Sequence, residues 1–138
     1  MTLKDTVPQS ADERLKCDPG ERALRLATAA INEEAEAQRA VYAAEDTLAP
    51  LERELESMKA AADYLGAQGG TNDIARKALA VGHLTTNEAY QKALADAEAV
   101  RRDLREQRVA LAVAGHMRAL ALLAVRLETA RLAAEGSR

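Results

Sequence analysis

The sequence contains no phenylalanine and no tryptophan, and its 138 residues include only three tyrosines, two histidines and one cysteine. These absences leave few groups for stacking on nucleobases, for binding metals or for catalysis. Cys17 stands alone, so an intramolecular disulfide is excluded and a cysteine-based zinc site is not expected. We therefore expect no cofactor and no metal, and we expect Cys17 to have no part in function.

Long apolar runs are also missing. The longest, residues 119–125, has seven residues, whereas a membrane-spanning helix needs about 20. The first ten residues are polar and lack the apolar region of a signal peptide. We therefore expect a cytoplasmic protein that has no membrane partner.

Alanine is the residue present in abundance, with 32 copies, followed by leucine with 18. Alanine lets helices pack closely, but its burial removes little area from water, and burial stabilises by about 25 cal/mol per Å². A core of this kind is thin, and an isolated pair of such helices would be marginally stable. Self-association is the expected remedy.

The start and stop signals of helices divide the chain into a tail and a hairpin domain. Residues 1–17 are predicted to form a polar tail with a short helix, and the domain occupies 18–138. Asp18 suits the N-cap of the first long helix, with Pro19 at its first position. The predicted elements are a helix over about 19–66, a turn and short helix over 67–84, and a helix over about 86–135.

Cap residues mark the predicted ends of these helices. Gly66 is the candidate C-cap of the first long helix. Thr71 or Asn72 can cap the short helix that follows the glycine-rich turn. Thr85 and Glu88 have the spacing of a capping box, which places the start of the last helix beside them.

Apolar residues at heptad spacing predict how the two long helices pack. The clearest run lies in the second half of the first helix, with spacings that alternate between 3 and 4 as in a coiled coil. This run continues in register across Pro50, so we favour a kink over a break there. The predicted hairpin core consists of Leu48, Leu51, Leu55, Met58, Leu65, Leu104 and Leu111. A weaker upstream stripe contains Leu24, Ala27, Ile31, Ala35 and Tyr42, and the stripe of the last helix also contains Tyr90, Ala93, Ala97, Val100 and Ala114.

The hairpin also predicts which residues face each other. A fold at residues 67–85 pairs positions whose numbers sum to about 152. Leu48 would then meet Leu104, and Leu55 would meet Ala97. The charged neighbours expected from the same rule are Glu45 and Asp46 with Arg108, and Glu52 with Arg101.

Charge is distributed unevenly along the chain. Residues 1–99 carry a net charge of −7, and residues 100–138 carry a net charge of +4. Arg101, Arg105 and Arg108 share one helical face, and such a row can follow phosphates. The stronger expectation is a salt-bridged face toward the acidic first helix, because charge blocks on helices are usually solvated or paired within the protein.

Three motifs with conceivable chemistry have a structural interpretation. His83 and His116 are 33 residues apart without an evident local nucleophile or carboxylate partner, so we expect surface histidines. The acidic residues 33–36 lack the Glu-x-x-His units of di-metal bundles, and we expect a solvated face. The glycine-rich stretch 66–70 lacks the Gly-Lys-Ser/Thr ending of a phosphate loop, so we expect a turn. No catalytic constellation emerges, and we expect the protein not to be an enzyme.

The segment from Met117 to Leu132 is apolar on more than one side of its helix. One neighbouring helix cannot bury that circumference, so a third or fourth helix must cover it, either from the N-terminal region or from another subunit. The predicted oligomer or partner interface consists of Met117, Leu120, Leu122, Leu123, Val125, Leu127 and Leu132.

These patterns predict an all-α fold: a long antiparallel, coiled-coil-like helical hairpin with one or two short accessory helices, completed to a bundle by oligomerisation. We expect a non-enzymatic protein–protein interaction or assembly protein, that is, a scaffold, adaptor or inhibitor. Its expected partners are a second copy, in a homodimer or higher oligomer, and another protein. The alternative is a nucleic-acid-binding accessory or regulatory protein, in DNA recombination or regulation, that uses Arg101, Arg105 and Arg108.

Overall fold

The computed structural model describes residues 18–137. Three helices follow one another in this range: α1 (Pro19–Gly69), α2 (Asp73–Thr86) and α3 (Glu88–Gly136). No strand occurs among the described residues, and the long helices α1 and α3 pack against each other as the arms of a hairpin. The predicted all-α helical hairpin is therefore confirmed. Cys17 and the short helix predicted within the tail 1–17 lie outside the described residues.

Two asparagines cap the starts of α2 and α3. The Asn72 side chain accepts a hydrogen bond from the Ala75 backbone N–H at 2.8 Å, at the start of α2. The Asn87 side chain accepts one from the Tyr90 N–H at 3.1 Å, at the start of α3. The predicted cap at Thr85 is wrong, because α2 extends to Thr86 and α3 begins beyond Asn87. Asparagine is preferred over threonine at this position, which explains the choice.

The end of α1 also differs from the expectation. Gly66 is not its C-cap, since the helix continues to Gly69. Gly66 is buried instead, and a Cβ at that position would lie 2.5 Å from the Arg76 carbonyl oxygen and 3.1 Å from the Ala80 Cβ. Glycine therefore serves here to let α2 lie directly on α1.

Pro50 neither ends nor interrupts α1, which is helical without a break from Pro19 to Gly69. Leu48 is buried and Leu51 is half-buried, so the packed face of the helix continues past the proline. The exposed position of Pro50 leaves its ring on the side of the helix that faces water. The alternative of two separate helices is excluded.

The described chain forms two compact units. One contains residues 36–111, and we call it the leucine unit; the other contains residues 18–35 and 112–137, and we call it the alanine unit. In both units the packed positions of α1 and α3 recur at alternating spacings of 3 and 4, and we call this packed face the seam.

The leucine unit contains the hydrophobic cluster of the protein. Its buried members are Val41, Ala44, Leu48, Leu55, Tyr90, Ala93, Ala97 and Leu104, and the residues packed around them are Leu51, Met58, Leu84, Leu94, Val100 and Leu111. Leu65 is not part of this core as the heptad run predicted, because it is 47% exposed. The seam shifts at that point, since α2 lies over the neighbouring Gly66 rather than over Leu65.

Two cross-hairpin ion pairs establish the register of the leucine unit. Arg108 lies 3.3 Å from Glu45, and Arg101 lies 3.4 Å from Glu52. Both pairs were expected from the sum rule, so the predicted register is confirmed for these residues.

The alanine unit buries only small side chains. Its buried residues are Ala23, Ala27, Ala30 and Ala114. The predicted upstream stripe is wrong at Leu24, Ile31 and Ala35 in this unit, and at Tyr42 in the leucine unit, because all four are exposed. The seam that passes through Leu48 continues upstream through alanines. Leu24, Ile31 and Tyr42 each come one residue after a seam position. They are therefore rotated about 100° around the helix from the seam.

Candidate functional site

The alanine unit exposes an apolar surface. The described chain has 16 exposed large apolar side chains, and nine of them lie in this unit, which holds 44 of the 120 described residues. Five of the predicted interface residues are among the nine: Met117, Leu120, Leu123, Leu127 and Leu132. Leu120 and Leu127 are the most open, at 61% and 65% exposure. Exposed apolar side chains concentrated in a small unit are typical of a contact surface.

Two of the predicted interface residues have a different environment. Leu122 and Val125 are half-buried within the alanine unit. Val125 lines a groove of about 280 Å³ together with Leu24 and Leu132. These residues therefore contribute to the packing of the unit itself, and the outward surface is formed by the other five.

Sequence reasoning missed Val113, Leu26 and the outward positions of Leu24 and Ile31. All four are exposed in the alanine unit. The signal that could have found them is the phase of the heptad repeat, because counting back from Leu48 in steps of 4 and 3 reaches Ala30, Ala27 and Ala23. In this unit the size of a side chain does not decide its burial. The position of the residue in the heptad repeat does.

An ion pair occupies the seam of the alanine unit. Glu34 pairs with Arg118, and their side chains are 28% and 43% exposed. The paired atoms, Oε2 of Glu34 and Nε of Arg118, are buried, and no other group of the described residues forms a hydrogen bond with them. Glu34 is thus not part of a solvated acidic face as expected from residues 33–36, whereas Glu33 and Glu36 are exposed.

The arginine row of α3 lies in the leucine unit and is largely neutralised. Arg101 and Arg108 pair with Glu52 and Glu45. Arg105 lies between these two arginines in the row and forms no salt bridge within residues 18–137. These side chains line a groove of about 550 Å³ whose apolar floor includes Leu48, Ala49 and Leu104. Three arginines and two glutamates leave one net positive charge, which is little for binding a polyanion.

The end of α3 carries a second charged cluster. Arg131 donates hydrogen bonds to Glu128 and, at 2.6 Å, to Glu135. The hydrogen bond to Glu128 and the charges of both carboxylates raise the pKa of Arg131 above its ordinary value. All three partners lie along one helix, so the cluster stabilises α3 locally and offers no unpaired group for chemistry.

Two histidines are the candidate groups for metal binding and acid–base catalysis. His83 and His116 are both exposed. Within residues 18–137 no group of three or more histidine, cysteine, aspartate or glutamate side chains is placed to hold a metal ion.

By its length and hydropathy, α3 is a candidate membrane-spanning helix. The helix is long enough, and contains a window of mean hydropathy 1.5. A mostly buried core helix of a soluble protein passes the same test, but none of this window is buried within the described chain. The part of α1 in the alanine unit carries Glu21, Arg22, Arg25 and Glu34, and such charges are costly in lipid.

Comparisons with protein-family models, with curated proteins and with solved structures found no match to this chain.

Proposed function

We propose that this protein is a non-enzymatic helical assembly protein whose copies associate through the outward apolar surface of the alanine unit. The observation that supports this proposal is the contrast within that unit: its buried residues are all alanine, whereas six of its seven leucines and Met117 lie on the outside.

The energetics of burial support the same conclusion. Each additional buried methylene group contributes about 0.8 kcal/mol, so an alanine seam gains far less than a leucine seam of equal length. Covering Leu120, Leu123 and Leu127 with a second chain would supply the missing burial. Association then stabilises the unit by mass action, because only the folded chain presents the surface.

A nucleic-acid function has less support. Two of the three arginines in the row already have glutamate partners across the hairpin. A row that follows phosphates would need those partners to be displaced, at a cost that the binding must offset.

Sedimentation equilibrium tests the proposal. We expect the wild-type chain to be a dimer or higher oligomer at micromolar concentration, and Leu123→Glu to shift it to monomer because the contact would otherwise bury an unpaired charge. Val81→Glu is the matched control, since Val81 is also exposed, at 62% against 49% for Leu123, but lies on α2 in the leucine unit. Circular dichroism should show that both variants stay helical. A monomeric wild type, or an oligomer that Leu123→Glu leaves intact, would refute the proposal.

A further inference from the structure

The outward surface of α3 in the alanine unit is itself a heptad stripe. Val113, Met117, Leu120, Ala124 and Leu127 are spaced 4, 3, 4 and 3, and all five are exposed. Each precedes a seam position by one residue, so the stripe is rotated about 100° from the seam. Alternating spacings of this kind are the pattern with which one helix packs on another in a coiled coil. The occupant that fits the stripe is therefore a helix with the same repeat.

The stripe matches itself when two copies run antiparallel. With Leu120 at the centre, Met117 lies opposite Ala124 of the second copy, and Val113 lies opposite Leu127. Met117, the longest side chain of the stripe, then faces its smallest, while Leu120 faces Leu120 at the axis, as even packing requires. In a parallel pairing Ala124 would face Ala124 of the second copy and leave a gap, while the two Met117 side chains would crowd each other.

Charge also favours the antiparallel arrangement. Asp103, Glu106 and Arg131 lie on the continuation of the stripe along α3, at multiples of seven residues from Met117, Val113 and Ala124. In a parallel pairing each of the three would face the identical residue of the second copy. Like charges directly opposite each other are destabilising. Antiparallel pairing about Leu120 places Glu106 opposite Ala134 and Arg131 opposite Ala110, so no like charges face each other at these stripe positions.

We infer that the partner of the outward stripe is a second copy of this chain, bound antiparallel through α3 with a two-fold axis at Leu120. This inference rests on the proposed function and adds to it the identity, direction and register of the partner helix. The interface is isologous, so the same residues of both copies meet around the axis.

Cysteine cross-linking tests the register, with Cys17→Ser as the background in every variant. A disulfide needs Cα atoms no more than about 7 Å apart. At the axis, Leu120→Cys should form an intermolecular disulfide under mild oxidation. Val113→Cys alone should not cross-link, whereas a mixture of Val113→Cys with Leu127→Cys should give the mixed dimer. Val81→Cys, exposed on α2, measures random collision. Non-reducing electrophoresis reads the yields, and circular dichroism confirms that each variant is folded.

The outcomes separate the two proposals. Cross-linking of Leu120→Cys and of the mixture, at least five-fold above the Val81→Cys level, supports the antiparallel register. Efficient cross-linking of Val113→Cys with itself would establish a parallel pairing and overturn the inference, while the proposed self-association would stand. If no variant cross-links although the wild type sediments as an oligomer, the stripe is not the interface and the inference fails. A wild type that sediments as a monomer refutes the proposed function as well.

Discussion

The leucine unit and the alanine unit use the same two helices and the same repeat, yet they place their large side chains in opposite ways. In the leucine unit Leu48, Leu55 and Leu104 occupy the seam and are buried. In the alanine unit the buried seam positions are alanines, and Leu24, Leu120 and Leu127 stand one position away from the seam. Composition alone does not distinguish the two arrangements. The phase of the large residues relative to the seam decides whether a unit buries its own apolar surface or presents it to another chain.

The comparison predicts that truncating a leucine costs most in the leucine unit. Leu55 is 2% exposed, and Leu55→Ala should lower the free energy of unfolding by about 2–5 kcal/mol. The value should fall in the lower part of this range, because neighbouring small residues such as Ala97 can move into the space. Urea denaturation measures the change.

Leu120→Ala is the matched variant in the alanine unit. At a protein concentration where the chain is monomeric, its effect should stay within about 0.5 kcal/mol, because the side chain is already 61% exposed. Equal costs at Leu55 and Leu120 in the monomer would remove the distinction between the units.

Glycine substitutions sharpen the comparison at the next level of effect. Gly66→Ala in the leucine unit forces a Cβ to within 2.5 Å of the Arg76 carbonyl oxygen, so we expect a loss of about 1–3 kcal/mol. Gly115→Ala in the alanine unit meets only a Glu34 carboxylate oxygen, at 3.9 Å, and should stabilise by about 0.5–1 kcal/mol through helix propensity. Thermal melts of the two variants should therefore shift in opposite directions. A gain at Gly66 would show that α2 does not pack closely on α1.

The ion pair in the alanine seam is expected to matter when it is broken and not when it is replaced. Arg118→Met leaves the Glu34 carboxylate without its partner, which should cost about 1–2 kcal/mol at this partly exposed site. The double variant Glu34→Leu with Arg118→Met should recover that loss, because apolar residues suit a helix seam. Glu33→Gln, at an exposed neighbouring position, is the control and should change little. A double variant less stable than Arg118→Met alone would mean that the pair itself holds the arms together.

Much of the fold follows from the sequence because heptad spacing and cap residues act locally. The ion pairs of Arg101 and Arg108 follow once the turn is located, since an antiparallel hairpin has one register for each turn. The heptad phase of the alanine unit could not be predicted in the same way. Alanine gives a weak apolar signal, and the larger Leu24 and Ile31 beside the seam give a stronger one. The close approach of α2 to α1 at Gly66 depends on tertiary packing. No local sequence pattern predicts it.

The smallest expected effect concerns the arginine row, where paired and unpaired members stand side by side. Arg101→Glu breaks the salt bridge to Glu52 and sets two carboxylates together, so it should lower stability by up to about 1 kcal/mol. Arg105→Glu removes an arginine without a salt bridge within residues 18–137 and should cost less. Denaturation of both variants measures this difference, and a DNA titration across salt concentrations shows whether the row binds phosphates. If the wild type binds DNA in a salt-dependent way, and Arg105→Glu loses that binding but keeps its stability, the row is a binding surface. The nucleic-acid alternative then takes precedence. If neither protein binds DNA at low salt, the row serves to hold the two arms of the leucine unit in register.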